Sequence, residues 1–226
     1  MVLRKVSPVF STLAGHAMPP DPMPLTAKSP VIPVLTIVRL ADAVPLARAL
    51  VAGGLPVIEV ALRSPVALAA IRAIKTEVPG AIVGAGTLLT IEDIQASRDA
   101  GAAYLVTPGT PSALVDPLLR ASVPVIPGCA TVSEAMALAA RGFKVLKFFP
   151  AEASGGVAWL KSVAGPLPHV RFCPTGGINA ANAGRYLTLP NVAAVGGSWV
   201  APDEALTGGD FPRVTALARA ASQLRS

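Results

Sequence analysis

Two charged side chains stand where charge is least expected. Lys147 is the centre of KVLKFFP (144–150) and Glu59 the centre of PVIEVAL (56–62), both apolar runs of strand character. Glu59 is the only one of thirteen acids placed inside such a run. Burying an ionised group is costly unless it is paired. Each residue is therefore half of a structural ion pair or is kept for chemistry. A buried pair is a poor stability device. A desolvated lysine, in contrast, favours the neutral amine that attacks a carbonyl carbon, and a nearby carboxylate can move the protons. Both readings stay open on these runs alone. Arg63 follows Glu59 on the same strand parity, at the exit of the run, and its fork suits a carboxylate.

Glycine turns supply a second constellation. PTGGIN (174–179) and VGGSW (195–199) each end an apolar run with paired glycines. Such turns let backbone N–H groups approach an anion, and a following helix adds a favourable dipole. Gly176, Gly177, Gly197 and Ser198 are read as a phosphate cradle. The plainer alternative is that they only make tight turns. Thr87, closing GAGT, is a weaker candidate as a donor to a carboxylate.

These residues need elements to hold them. Strand-like runs fall at 31–37, 56–62, 81–87, 102–108, 123–128, 144–150, 171–177 and 192–198, eight in all, each followed by an Ala/Leu-rich helical stretch. Ser64-Pro65 reads as a cap and first-turn proline, Thr90 with Asp93 and Thr131 with Glu134 as capping boxes, and Asn179 as a cap. Eight βα units predict an α/β fold, a (β/α)8 TIM barrel forming a single domain over residues 29–226. An open doubly wound sheet is the alternative, disfavoured by the count and by the lack of a G-x-G-x-x-G after the first strand. Sites in such barrels lie at the C-terminal strand ends. Strands two and six are opposite in an eight-membered ring, so inward-pointing Glu59 and Lys147 are expected to meet. Residues 1–28, with MPPDPMPLTAKSP, read as a proline-rich, poorly ordered extension. Arg4 and Lys5 are followed by a broken, weakly apolar stretch that does not read as a signal peptide, and Met18 and Met23 stand as alternative starts.

Composition sets the limits. Of 226 residues 52% are hydrophobic but only 4% aromatic, so the core is expected to be Ala, Val, Leu and Ile. No apolar run reaches the roughly 18 residues that span a bilayer. The net charge is +6, with 13 Arg and 6 Lys scattered and no interleaved aromatics, which argues against nucleic acid as a partner. Cys129 and Cys173 are far apart and read as small buried hydrophobes in a reducing, cytoplasmic setting. Two histidines and no acidic cluster give no metal site.

In order, VIEVALRSP, VGAGTLLT, VTPG, VPVIPGCAT, LKFFPAE, RFCPTGGI and VGGSW resemble the motifs of the 2-dehydro-3-deoxy-6-phosphogluconate aldolase (KDPG/KHG aldolase) family. The match runs from about residue 31 to 220. The resemblance implies a metal-free, cofactor-free class I pyruvate aldolase of the Entner–Doudoroff pathway, a barrel that forms a homotrimer. It implies that Lys147 is the Schiff-base lysine, Glu59 the acid–base group and Arg63 the carboxylate ligand, with Thr87, Pro108 and Phe149 lining the site. Thr175, Gly176, Gly177, Gly196, Gly197 and Ser198 would then hold the phosphate of a phosphorylated 2-keto acid. A second activity on 4-hydroxy-2-oxoglutarate is left open. Ala61 departs from the family's common threonine, with a packing change expected. A phosphosugar isomerase or synthase, or a binding module on the same fold, would keep the glycines but has no use for Lys147 with Glu59.

Overall fold

The computed structural model describes residues 20–224. The expected extension at 1–28 lies outside the described residues as far as residue 19. Beyond it a short helix α1 (Met23–Thr26) forms, with Thr26 buried and Met23 and Leu25 packed on the inner apolar cluster described below.

Each expected run yields strand. The elements are β1 (Val31–Leu35), β2 (Val57–Ala61), β3 (Ile82–Gly86), β4 (Leu105–Val106), β5 (Val125–Ile126), β6 (Gly128–Cys129), β7 (Val145–Phe148), β8 (Arg171–Pro174) and β9 (Val195–Gly197). All pair in parallel, in one sheet of order β5-β4-β3-β2-β1-β9 and another of order β6-β7-β8. The fold is thus a pair of curled parallel sheets of (β/α)8 type. The expected fifth strand at 123–128 is two pieces, because Pro127 has no N–H to give to a ladder. Its carbonyl still accepts from Lys147 N at 2.9 Å. Isolated bridges Phe172↔Val192 and Thr175↔Gly196 join β8 to the approach and start of β9.

Helices follow the strands: α2 (Ala43–Ala52), α3 (Ala67–Glu77), α4 (Ile91–Asp99), α5 (Ser112–Leu119), α6 (Val132–Ala140), α7 (Gly156–Ala164), α8 (Ala183–Leu187), α9 (Asp203–Gly208) and α10 (Phe211–Ser222). The capping boxes at Thr90/Asp93 and Thr131/Glu134 both form. The other two expected caps do not. Ser64 Oγ donates to the Ile37 carbonyl at 2.5 Å, and α3 begins only at Ala67. Asn179 Oδ1 accepts from Ala181 N at 2.9 Å in a local turn, leaving Asn182 before α8.

Strand alternation sorts side chains into two layers. Ile58, Val60, Leu146 and Phe148 point outward, into the large cluster shared with the helices. Ile32, Val57, Tyr104, Val106, Ile126, Val145 and Cys173 form a second cluster on the concave side. Both layers are built from small aliphatics, with a few rings where a gap needs filling. The outer face of β7 is fastened to α7, where Phe148 stacks on Trp159 with ring centroids 4.2 Å apart. Trp159 in turn meets Phe172 edge-on at 5.4 Å.

Candidate active site

Glu59 and Lys147 each stand two residues beyond an inner-cluster valine, Val57 and Val145. They therefore point the same way as those valines, toward the C-terminal strand ends. Lys147 Nζ donates to Glu59 Oε1 at 3.0 Å, and both residues are only 3% exposed. The expected meeting of strands two and six takes place.

Small neighbours make room for it. In register, Lys147 lies between Gly128 on β6 and Cys173 on β8. On the other side Glu59 is paired with Gly84, and Ala61 with Gly86. The Glu59 side chain lies across Gly86, where any Cβ would overlap its carboxylate. Gly84 is likewise covered by the ring of Tyr104. The Tyr104 hydroxyl is buried and has no hydrogen-bond partner. Burial pushes its pKa well above the usual phenol value, with the Glu59 charge adding to the effect, so the phenol stays protonated. Ala61, where the resemblance leads one to expect threonine, is fully buried.

Above the pair opens a cleft of about 280 Å³ that reaches Lys147 and is lined by Arg63, Phe149 and Thr175. Lys147 Nζ is 5.5 Å from the centroid of the Phe149 ring, within cation–π range. The cleft continues along Gly176, Gly177, Gly196, Gly197 and Ser198. The bridge Thr175↔Gly196 brings these two turns side by side. Gly176 (φ 101°) and Gly177 (φ 76°) adopt left-handed backbone that disfavours a side chain. A Cβ at Gly177 would also come within 2.8 Å of the Glu152 side chain.

Two implied site residues stand elsewhere. Thr87 follows β3 directly with φ 61°, a conformation rare for a β-branched residue, but it does not line this cleft. Pro108 instead lines a neighbouring cleft of about 420 Å³ with Leu88, Leu89, Thr110 and Glu134. Conversely, the cleft holds residues that sequence reasoning missed. Thr36 follows the last residue of β1, and Asp203 and Leu206 lie on α9. The rule of strand ends applied to β1 identifies Thr36. Reading four residues past VGGSW would have reached Asp203. Both cysteines are buried and outside any disulfide, and burial raises the Cys129 thiol to about 12. Among the described residues no group of three or more His, Cys, Asp or Glu is placed to hold a metal. Nor, among them, is any helix long and apolar enough to cross a membrane.

A buried amine bonded to a carboxylate, beneath a cleft at the C-terminal ends of parallel strands, defines a class: lysine-dependent enzymes acting on carbonyl compounds. The family model for KDPG and KHG aldolase matches residues 25–217, and the chain belongs to that family. It is 52% identical over 196 residues to the KHG/KDPG aldolase of Escherichia coli K12, covering 85% of this chain and 90% of the relative. Its fold matches the KDPG aldolase of Legionella pneumophila, solved with pyruvate as a covalent carbinolamine. The TM-score is 0.88 at 45% identity, over 90% of this chain and 99% of the other. The Zymomonas mobilis ZM4 enzyme, solved with 3-phosphoglycerate, gives a TM-score of 0.84 at 44% identity, over 89% and 95% of the two chains.

Proposed function

We propose that this carbon–carbon lyase cleaves 2-dehydro-3-deoxy-6-phosphogluconate to pyruvate and glyceraldehyde 3-phosphate through a Schiff base on Lys147. The observation that carries the reading is the 3.0 Å bond from Lys147 Nζ to Glu59 within a closed apolar setting. A proton acceptor thus sits within hydrogen-bond reach of the amine.

The neutral amine adds to the C2 carbonyl, and loss of water from the carbinolamine leaves an iminium. Glu59, directly or through a water, accepts the C4 hydroxyl proton. The C3–C4 bond breaks, its electrons pass into the iminium, and the aldehyde departs. Protonation of the enamine at C3 and hydrolysis of the imine release pyruvate and restore Lys147. Arg63 holds the substrate carboxylate at the near end of the cleft. Gly176, Gly177, Gly196, Gly197 and Ser198 receive the phosphate at the far end, with Thr175 beside them. Phe149 covers the amine, while Thr87 and Pro108 act from the adjoining strand ends. The E. coli relative is named for both KHG and KDPG, which favours 4-hydroxy-2-oxoglutarate, cleaved to pyruvate and glyoxylate, as a second substrate of the same lysine.

Three further readings belong with this one. The sheets close into an eight-stranded barrel, supported by the Pro127 junction and the β8–β9 bridges. The enzyme assembles as a homotrimer, supported by the exposed large apolar side chains Leu89 and Ile91 at the start of α4 and Met136 on α6, which a subunit interface would cover. Two buried cysteines outside any disulfide support a reducing, cytoplasmic location.

The test is trapping. Incubation with pyruvate and borohydride is expected to add one reduced pyruvate to the peptide carrying Lys147. Lys147→Ala is expected to fold, by circular dichroism, and to take up none. Adduct formation by the alanine variant, or on another lysine, refutes the assignment.

A further inference from the structure

Arg63, Lys147 and Asp203 are the ionisable side chains that line the cleft. The proposed function assigns Arg63 to the substrate carboxylate, and Lys147 is bonded to Glu59. The same cleft is lined by the two glycine turns, Ser198, apolar Ile178 and Leu206, and Asp203, which stands five residues after Ser198 in the chain. On that assignment no cation is left for the glycine turns that would receive the phosphate, while an acid lines the same cleft. Asp203 is exposed and opens α9, immediately after Pro202. Nothing in the chemistry of carbon–carbon cleavage at Lys147 calls for it.

We propose that Asp203 is a specificity-determining residue that lowers the enzyme's preference for phosphorylated over unphosphorylated 2-keto acids. This inference rests on the reading of the cleft given under Proposed function. A phosphate dianion in the glycine turns is repelled by the neighbouring carboxylate. A substrate ending in a hydroxyl instead finds a charged hydrogen-bond acceptor there. Selectivity set by a repulsive group needs no change in the attractive contacts. The same repulsion weakens the hold on the phosphorylated aldehyde product. Because Asp203 is exposed, its effect is screened by salt.

The experiment compares kcat/KM for 2-dehydro-3-deoxy-6-phosphogluconate and its dephosphorylated analogue in wild type, Asp203→Asn and Glu204→Gln. Glu204 is the adjacent acid and does not line the cleft. Taking the ratio on one preparation cancels any loss of folded enzyme. In Asp203→Asn the phosphorylated-to-unphosphorylated ratio is expected to rise about 5- to 10-fold at low ionic strength, the scale of an exposed charge acting on a dianion a few ångströms away. In about 0.5 M salt the gain is expected to fall below about 3-fold. Glu204→Gln is expected to leave the ratio near the wild-type value. An unchanged or lower ratio in Asp203→Asn, or an equal rise in Glu204→Gln, overturns the proposal. If wild type turns over neither substrate, the functional reading itself has failed, a result distinct from a wild-type enzyme whose ratio ignores Asp203.

Discussion

Gly86→Ala tests whether catalysis depends on the placing of Glu59 rather than on its mere presence. A methyl at this position would stand 2.6 Å from both Cγ and Cδ of Glu59. Carbon pairs settle at about 3.5–4.0 Å, so the carboxylate has to retreat by about 1 Å. The bond it accepts from Lys147 is 3.0 Å long, and a retreat of that size breaks it or bends it badly. A misplacement of about 1 Å at a reacting group costs on the order of 100-fold in rate, or about 2.7 kcal/mol of transition-state stabilisation. Gly86 does not have a positive φ, so alanine is not opposed by its own backbone. The loss is therefore expected in kcat, with substrate KM much less affected. The assay is steady-state cleavage with thermal unfolding measured alongside. Adding Glu59→Asp, whose shorter stem relieves the overlap, is expected to recover part of the deficit relative to Glu59→Asp alone. Gly86→Ala with wild-type kcat refutes the reasoning, because the carboxylate would then have been free to move without consequence.

The remaining expectations concern the two ends of the cleft. Glu59→Gln is expected to keep pyruvate binding and to lower turnover by roughly two to four decades, the usual span of a general acid–base; near wild-type turnover would make Glu59 structural. Ser198→Ala is expected to raise KM for the phosphorylated substrate by roughly one to two decades, the loss of a charge-assisted hydrogen bond of about 1.5–3 kcal/mol. A bulky residue at Gly177 is expected to do the same by filling the turn, and an equal fall for the dephosphorylated analogue would show that these loops only shape the fold.

What the sequence revealed and what it hid divide along a physical line. The eight strand positions are legible because alternation is a local property, and so are the capping boxes of α4 and α6, each closed within four residues. Ser64 looks like a cap by the same local reasoning. Its hydroxyl is taken instead by the Ile37 carbonyl, 27 residues away in sequence, and no window around Ser64 contains that acceptor. Gly86 presents the same difficulty. In the sequence it is only one residue of the strand-like run 81–87, whereas the reason for it is a carboxylate on β2. Pro108 closes the expected run at 102–108, yet β4 stops at Val106 and the segment beyond it carries Pro108 into the neighbouring cleft. Asp203 was hidden because nothing local distinguishes an acid opening a helix from one that faces a substrate.

The same division explains how a lysine can be held in the middle of KVLKFFP. A strand has a period of two, so a slip by one residue sends every side chain to the opposite face. Leu146 and Phe148 are buried in the outer layer, and Phe148 is stacked on Trp159 of α7. Exchanging the faces would put these large apolar side chains into the cleft and the ammonium among the helices. The aromatic stack thus acts at a distance from the chemistry, by fixing the face on which Lys147 emerges. On the other wall, Ile58 and Val60 do the same for Glu59. Neither charge has to be held in place by its partner. Two outer layers deliver them to within 3.0 Å of each other, and the ion pair is a consequence of the packing rather than its cause. That order of causes accounts for a pair that adds little stability being retained at the centre of the site.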